Sequence, residues 1–500
     1  MSQEKKKKEN DAQARPPVVV VLGHVDHGKS SLLEAIKDLK ITGGESGGIT
    51  QHIGAYMISH EGSDITFIDT PGHEAFFEMR SRGAKVADIG ILVIDAEESI
   101  KEQTREAIKH LKEMEIPYVV AMNKMDKKGA DPEKVKQDLT KEDILVEAYG
   151  GNIPTVEISA KKKEGMDDLL EVINLLAQME DLKARKDAAA EGMVIEAKKD
   201  PQKGMVATFL VREGTLKRGD IIGTEGAHGK VRAMEDFQGE EKESATPSMP
   251  VQVIGLKGGP KAGKDFFVFD STSDAKKFSK EGGEKRGGSA KPSEDKKSLN
   301  VVIKADVVGS LEATLDSISK IPQSKIDINP VVSDIGNVSE SDIESAKAAE
   351  AEVFAFRVNA DKAAENMAKK EGIKIRSFDV IYELIDEIKE EAKKRLDPVV
   401  VKNETGKAKV LAIFKTQKNR QIIGGKCLKG EITKGSPLEL WRDEEKVGRG
   451  KVVNVKKEEK DMERIPEGEE FGTLVETNEK INEGDVIVLY KEEEKEEELE

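Results

Sequence analysis

From Val18 onward the apolar positions fall into short runs, separated by longer stretches with helical spacing. VVVVLG, ITFID, IGILVID, YVVAMNK and TVEIS predict strands, and SSLLEAIKDL, QTREAIKHLKEM and MDDLLEVINLLAQM predict the helices between them. Strands alternating with amphipathic helices build a parallel sheet covered by helices, here over residues 16–185. The rhythm changes over 190–270. There MVIEAK, MVATFLVR, DIIGT and VQVIGL alternate with glycine-rich turns, which predicts a small β-barrel. Residues 271–298 are polar and rich in Gly, Ser and Lys, the composition of a linker with room for one short helix.

An α/β pattern returns over 299–378. NVVIKADV leads into SLEATLDSISKI, and SESDIESAKAAEA opens on the Ser-x-x-Asp form of a helix start. Over 379–398, Ile381, Leu384, Ile385, Ile388 and Ala392 share one helix face, and Pro398 ends the run. Such a helix reaches about 25 Å at ~1.5 Å per residue and would serve as a connecting spacer. Residues 400–490 predict a second barrel. GTLKRG (214–219) followed by GKVRAM (229–234) is echoed by GEITKG (430–435) followed by GKVVNV (450–455), which predicts a duplicated module. Residues 1–15 read as a flexible arm and 491–500 as a solvated acidic tail.

Composition narrows the class. A chain of 500 residues is too long for one core and predicts roughly three to five domains. Charged residues make up 36% and hydrophobic ones 37%, as expected of a soluble protein. The single cysteine, Cys427, excludes an intramolecular disulfide and points to a reducing compartment. The N-terminus has no apolar segment of a secretory signal, and no apolar run is long enough to span a membrane. The expectation is a cytoplasmic protein. A net charge of −16 argues against a chain coated in nucleic acid, but leaves room for local basic faces.

Candidate chemistry begins at VVVVLGHVDHGKSSLLEAI, which holds Gly23, Gly28, Lys29 and Ser30 in the G-x-x-x-x-G-K-[ST] spacing between a strand and a helix. The backbone N–H groups across Gly23, His24, Val25, Asp26, His27 and Gly28 would close around phosphate oxygens. Lys29 adds a cation at the outer phosphates, and Ser30 offers a hydroxyl to Mg²⁺. Asp69, ending the ITFID strand, can hold Mg²⁺ through water, and the Gly72 N–H can sense the γ-phosphate. His73 then projects where an attacking water would sit. Its imidazole could position that water, share a hydrogen bond with it or act as a charged stabiliser. In NKMD, Asp126 can accept from N1–H and the 2-amino group of guanine, donors that adenine lacks in that form. Asn123 and Lys124 would brace this loop and cover the ring, with Ser159, Ala160 and Lys161 closing the other side. A site built for such donors discriminates by roughly 10⁴-fold. Four such motifs in order, each at a strand end, predict a P-loop GTPase domain that takes GTP and GDP.

These residues resemble the translational GTPases, and among them bacterial-type translation initiation factor 2. The likeness is carried by GHVDHGKSSL, SGGITQHIGAY, DTPGHEAF and MRSRGAKVADIGILVIDA. It continues in EAKKDPQKGMVATFLVREGTLKRGDII, NVVIKADVVGSLEA and IRSFDVIYELIDEI, covering about residues 17–490. The long N-terminal extension common in such factors is not expected here. The resemblance implies a multidomain α/β architecture of P-loop GTPase domain, β-barrel, α/β/α domain, connecting helix and second β-barrel. It also implies Thr50 as a switch threonine on Mg²⁺, His73 as the catalytic histidine, and Val25 with Ile49 as an apolar gate beside it. The implied partners are the ribosomal subunits (rRNA and ribosomal proteins), formyl-methionyl initiator tRNA and other initiation factors. The chain would be a monomer off the ribosome. In the last barrel, where the family grips the acylated tRNA end, Ile423-Gly424-Gly425 stands for the family's Ala-Gly-Cys. Glu470-Phe471-Gly472 stands for Glu-Cys-Gly, and Lys457 for an arginine.

Three other readings compete. His24, His27, His52, His60 and His73 beside Asp26 and Asp69 suggest a binuclear metal hydrolase, although three of them sit inside phosphate-loop or switch patterns. An elongation-type factor would show consecutive barrels instead of an α/β third domain. A nucleotide-gated scaffold with vestigial hydrolysis has no need of His73 and Thr50.

Overall fold

Val19 and Val21 of strand β1 (Val18–Gly23) join one apolar core, and Val20 and Leu22 join another. A strand buried on both faces needs helices on both sides, which is why its sequence does not alternate. The structure is a computed structural model and describes residues 12–37, 54–71, 74–281, 297–396, 399–443, 445–458, 460–495 and 499. Strands β2 (Gly54–His60), β3 (Ser63–Asp69), β4 (Ile89–Asp95), β5 (Tyr118–Asn123) and β6 (Thr155–Glu157) complete a sheet of order β2-β3-β1-β4-β5-β6. Only β2 is antiparallel to its neighbour. Helices α1 (Lys29–Lys37) and α5 (Met166–Met179) cover one face; α2 (Phe77–Val86), α3 (Glu102–Glu113) and α4 (Pro132–Lys141) cover the other. The carboxyl ends of β1, β3, β4 and β5 therefore share one edge, where Gly23, Asp69, Asp95 and Asn123 stand. The predicted strands are present. Strand β2 begins at Gly54, and residues 43–53 before it lie outside the described residues.

Part of the expected N-terminal arm is anchored. Gln13–Ala14 pair with Lys183–Ala184, and the Arg15 guanidinium grips both Asp88 carboxylate oxygens at 2.6 and 2.7 Å. Strands β7 (Glu191–Asp200), β8 (Gly204–Glu213), β9 (Ile221–Thr224), β10 (Ala227–Glu235), β11 (Pro250–Gly258) and β12 (Asp265–Phe269) close a barrel around stacked Phe209 and Phe266. The segment expected as a linker begins with α6 (Thr272–Glu281). This helix docks on the barrel, burying Ala275 and setting Phe278 against Phe267 and Phe269. A four-stranded parallel sheet follows, of order β14 (Ile326–Ile335), β13 (Lys297–Ala305), β15 (Glu352–Phe356), β16 (Ile375–Phe378). Its helices are α7 (Val308–Ser319), α8 (Glu340–Ala348) and α9 (Lys362–Glu371). The Ser339–Asp342 start of α8 is a reciprocal cap. A parallel sheet here, where an elongation-type factor would place a barrel, counts against that reading.

Helix α10 (Ile381–Arg395) buries Ile381, Leu384, Ile385, Ile388 and Ala392, the stripe its periodicity predicts. It is not a free spacer over its whole length. Arg376 of β16 reaches Glu387 at 3.2 Å and Glu391 at 2.8 Å, and the chain divides into two compact units only after Ala392. In the second unit, β17 (Val399–Gln417), β18 (Arg420–Thr433), β19 (Pro437–Arg442), β20 (Glu445–Lys457), β21 (Glu470–Thr477) and β22 (Val486–Lys495) form another antiparallel ring. Residues 491–495, expected in a solvated tail, lie in β22, paired with β17; Asn403 donates to Glu493 at 2.8 Å. A run of acids is tolerated in a strand whose backbone groups are paired.

Both barrels run in the ring order first, second, fifth, fourth, third, sixth. The repeated motifs make the same bonds. Gly219 N–H donates to Val231 O at 2.9 Å and Val231 N–H to Asp220 O at 2.9 Å. Gly435 N–H donates to Val452 O at 2.8 Å and Val452 N–H to Ser436 O at 2.9 Å. Shared topology and shared turn bonds establish the duplication.

Candidate nucleotide site

The loop between β1 and α1 is shaped by two glycines at positive φ, Gly23 at 146° and Gly28 at 92°. A Cβ on Gly23 would collide with Val93 O, and one on Gly28 with the Asn123 amide, so only glycine fits either place. Lys29 opens α1, buried, with its ammonium donating to Gly23 O at 3.0 Å and His24 O at 2.7 Å. Burial lowers its pKa to about 8, against the pull of the Asp69 carboxylate. Val25 N–H is held by Gln103 Oε1 at 2.9 Å. His27 is buried with Nδ1 3.4 Å from Val93 O and its ring edge-on to His24 at 5.1 Å. Burial, and then His24, push it down to about 4, so it stays neutral near pH 7.

Asn123, at the end of β5, ties three loops together. Its side-chain N–H donates to His27 O at 2.9 Å, and its Oδ1 accepts from Lys124 N at 2.8 Å and Ala160 N at 3.0 Å. The phosphate loop, the NKMD turn and the 159–161 loop thereby share one buried amide. Lys124, at φ 66°, bonds the Asp26 carbonyl and pairs with Asp95 at 2.8 Å. Asp126 is half-buried at the rim and accepts from Ser159 Oγ at 2.8 Å; that bond holds its carboxyl below the usual range. Lys161 stands in the same loop, exposed.

Asp69 ends β3 with 2% of its surface exposed, and Val21↔Asp69 are register partners, so its carboxylate lies at the sheet edge that α1 leaves. Thr70 Oγ1 donates to Val21 O at 2.9 Å. Ser30 follows Lys29 in the first turn of α1. Ile49, Thr50, Gly72 and His73 lie outside the described residues. Among the described residues no group of three His, Cys, Asp or Glu side chains is placed to hold a metal ion; His52 and His73 of the metal-hydrolase reading lie outside them.

Sequence reasoning missed Asp95, Gln103 and the Arg80–Glu106 pair. Fully buried Asp95 is pushed up by burial, but its bonds from Lys124, the Glu97 amide and Lys127 win and hold it below the usual range. The only local signal was a carboxylate at the end of a buried strand.

Residues 15–179 match the Elongation factor Tu GTP binding domain, 189–269 match Elongation factor G domain 2, and 274–389 match Translation-initiation factor 2. The translation initiation factor IF-2 of Rubrobacter xylanophilus is 40% identical over 495 residues, 96% of this chain and 72% of that protein. The chain belongs to the translation initiation factor IF-2 family. The IF-2 of Carboxydothermus hydrogenoformans is 43% identical over 96% of this chain, and the match covers 60% of that protein's length. Among solved structures, GDP-bound aIF5B from Aeropyrum pernix aligns over 95% of this chain and 92% of its own at 27% identity and a TM-score of 0.48.

The positions at which this IF-2 family member departs from the expected tRNA grip come together in the second barrel. Gly425 faces Phe471 across β18 and β21, Gly424 faces Gly472, and Lys426 faces Glu470. Gly424, Gly425, Glu470, Phe471 and Gly472 line, with Lys456, Lys457, Leu411, Ile422 and Phe414, a concavity of about 810 Å³. Lys457 pairs with Glu469 at 2.8 Å, and Phe414 stands 70% exposed over Gly424. Cys427 lies outside this lining, its thiol buried and pushed up by that burial.

Proposed function

We propose that this chain is the GTP-hydrolysing factor that positions formyl-methionyl initiator tRNA on the small ribosomal subunit and promotes subunit joining. Bonds from Asn123 into three motif loops carry the reading, because one amide sets the phosphate and guanine subsites at a fixed spacing. Phosphate oxygens of GTP or GDP accept from N–H groups of the 24–28 loop, apart from that of Val25, which Gln103 holds, and Lys29 turns its ammonium from two loop carbonyls to the outer phosphates. Asp126 accepts from guanine while Ser159 steadies it.

The oxygen donors Ser30, Thr50 and Asp69 fit Mg²⁺, a hard cation, and buried Asp69 is a carboxylate that favours a positive partner. Bound there, Mg²⁺ supplies charge neutralisation at the β- and γ-phosphates. His73 orients the attacking water, with Val25 and Ile49 limiting its access. The second barrel takes the acylated end of the tRNA at Gly425, Lys457, Glu470, Phe471 and Gly472. The factor works in the cytoplasm, as a monomer off the ribosome, alongside other initiation factors.

Turnover without ribosomes is expected at about 10⁻⁴ to 10⁻² s⁻¹, the range of related intrinsic GTPases. His73→Ala should keep GTP affinity within about twofold and lose ribosome-stimulated hydrolysis by at least about 100-fold. Stimulated turnover near the wild-type rate would remove His73 from the role.

A further inference from the structure

Helix α3 touches both sides of the phosphate site through one face. Gln103 holds the Val25 N–H at 2.9 Å. One turn on, Glu106 accepts from Arg80 Nη2 at 2.6 Å, while Arg80 Nη1 donates to the Pro71 carbonyl at 3.2 Å. Arg80 comes from α2, and its side chain is only 3% exposed. Pro71 is buried and is the last described residue of the segment that leaves β3 after Asp69. Thr70, beside it, is already tied to Val21 O. Glu106 is braced in turn by His110, whose Nε2 lies 3.8 Å from the same oxygen.

A buried arginine is costly without partners, and here its planar fork bridges a carboxylate and a carbonyl from different elements. The distance between the phosphate loop at Val25 and the chain at Pro71 is thus set by one rigid helix. We infer that Arg80 and Glu106 are positioning residues for GTP hydrolysis, fixing the point at which the chain leaves the sheet toward the γ-phosphate. This rests on the proposed GTPase reading. The bonds of the pair run from α2 to α3 and to the Pro71 carbonyl, on the side of the site away from the NKMD turn. Loss of the pair should therefore show in turnover and leave nucleotide binding nearly intact.

The test uses the full chain with ribosomes and compares wild type with Arg80→Lys, Arg80→Ala and Glu106→Gln. GDP affinity should stay within about twofold. The saturating rate should fall about 10- to 100-fold with KM little changed, the size expected of a small displacement near reacting groups. Lysine should fail to rescue, because it cannot span both acceptors, and Arg80→Ala combined with Glu106→Gln should be no worse than Arg80→Ala alone. Glu106→Gln keeps the shape of the site and guards against misfolding in the arginine variants, with thermal melting as the check. An unchanged saturating rate, or GDP affinity falling in step with it, would overturn the inference alone. A wild-type chain without turnover would overturn the GTPase reading and this inference together.

Discussion

His27 is a phosphate-loop residue whose ring packs into the protein. Its ring is buried between the loop and Val93, and Nε2 finds no hydrogen-bond partner among the described residues. The folded pKa of about 4 lies below the ordinary 6.5, so between those values the unfolded chain takes a proton that the folded chain refuses. Stability from this group is full above pH 6.5 and drains away as pH falls toward 4. The melting temperature of the nucleotide-free protein should accordingly fall less between pH 7 and pH 5 in His27→Gln than in wild type. Equal slopes in the two proteins would refute the assignment. The residues that were legible, Gly23, Gly28, Lys29, Asn123 and Asp126, carry their meaning in local spacing. Asp95 and Gln103 do not. The partner of Asp95 is Lys124 and that of Gln103 is Val25, and nothing in either neighbourhood announces a contact so far along the chain.

At the scale of elements, period alone recovered the central strands and the buried stripe of α10. It failed where composition and packing pull apart. The segment 271–298 reads as a linker with room for one short helix; that helix is present, but composition did not announce that Ala275 and Phe278 give it a narrow apolar face that the barrel covers. The acidic run after Tyr490 misled in the same way, because pairing of residues 491–495 with β17 satisfies their backbone. The α6 docking is tight: a Cβ added at Gly223 of β9 would stand 3.0 Å from the Ala275 carbonyl. Ala275→Leu leaves no room for its extra atoms and should destabilise the first unit by about 1–3 kcal/mol, the cost of overpacking a filled core. Thermal or urea unfolding measures this. A variant as stable as wild type would show that α6 rides loosely on the barrel.

Across the whole molecule, one barrel plan is used twice with different outer surfaces. The first copy spends an outer face on α6, whereas the second carries an open concavity in which Phe414 stands 70% exposed. The common ring order was foreshadowed by GTLKRG and GEITKG, since the glycine turn and its two bonds to the following strand recur as sequence. The divergence was legible only through the family resemblance, at Gly425, Lys457 and Phe471. Retaining a large exposed aromatic beside Lys456 and Lys457 is costly for solubility unless a partner covers it. A base or an apolar acyl end with a phosphate backbone beside it would suit that combination, since stacking on an aromatic contributes about 1–3 kcal/mol. In the full chain, Phe414→Ala should therefore weaken binding of formyl-methionyl initiator tRNA about tenfold. Its melting temperature should hardly move, because an exposed ring contributes little to the core. Comparing formylated with unformylated tRNA in the same assay separates contact with the nucleic acid from contact with the acyl group. A loss confined to the formylated form places Phe414 against the acyl end, and an equal loss places it against the terminal nucleotides. Unchanged affinity for both would remove this face from tRNA binding.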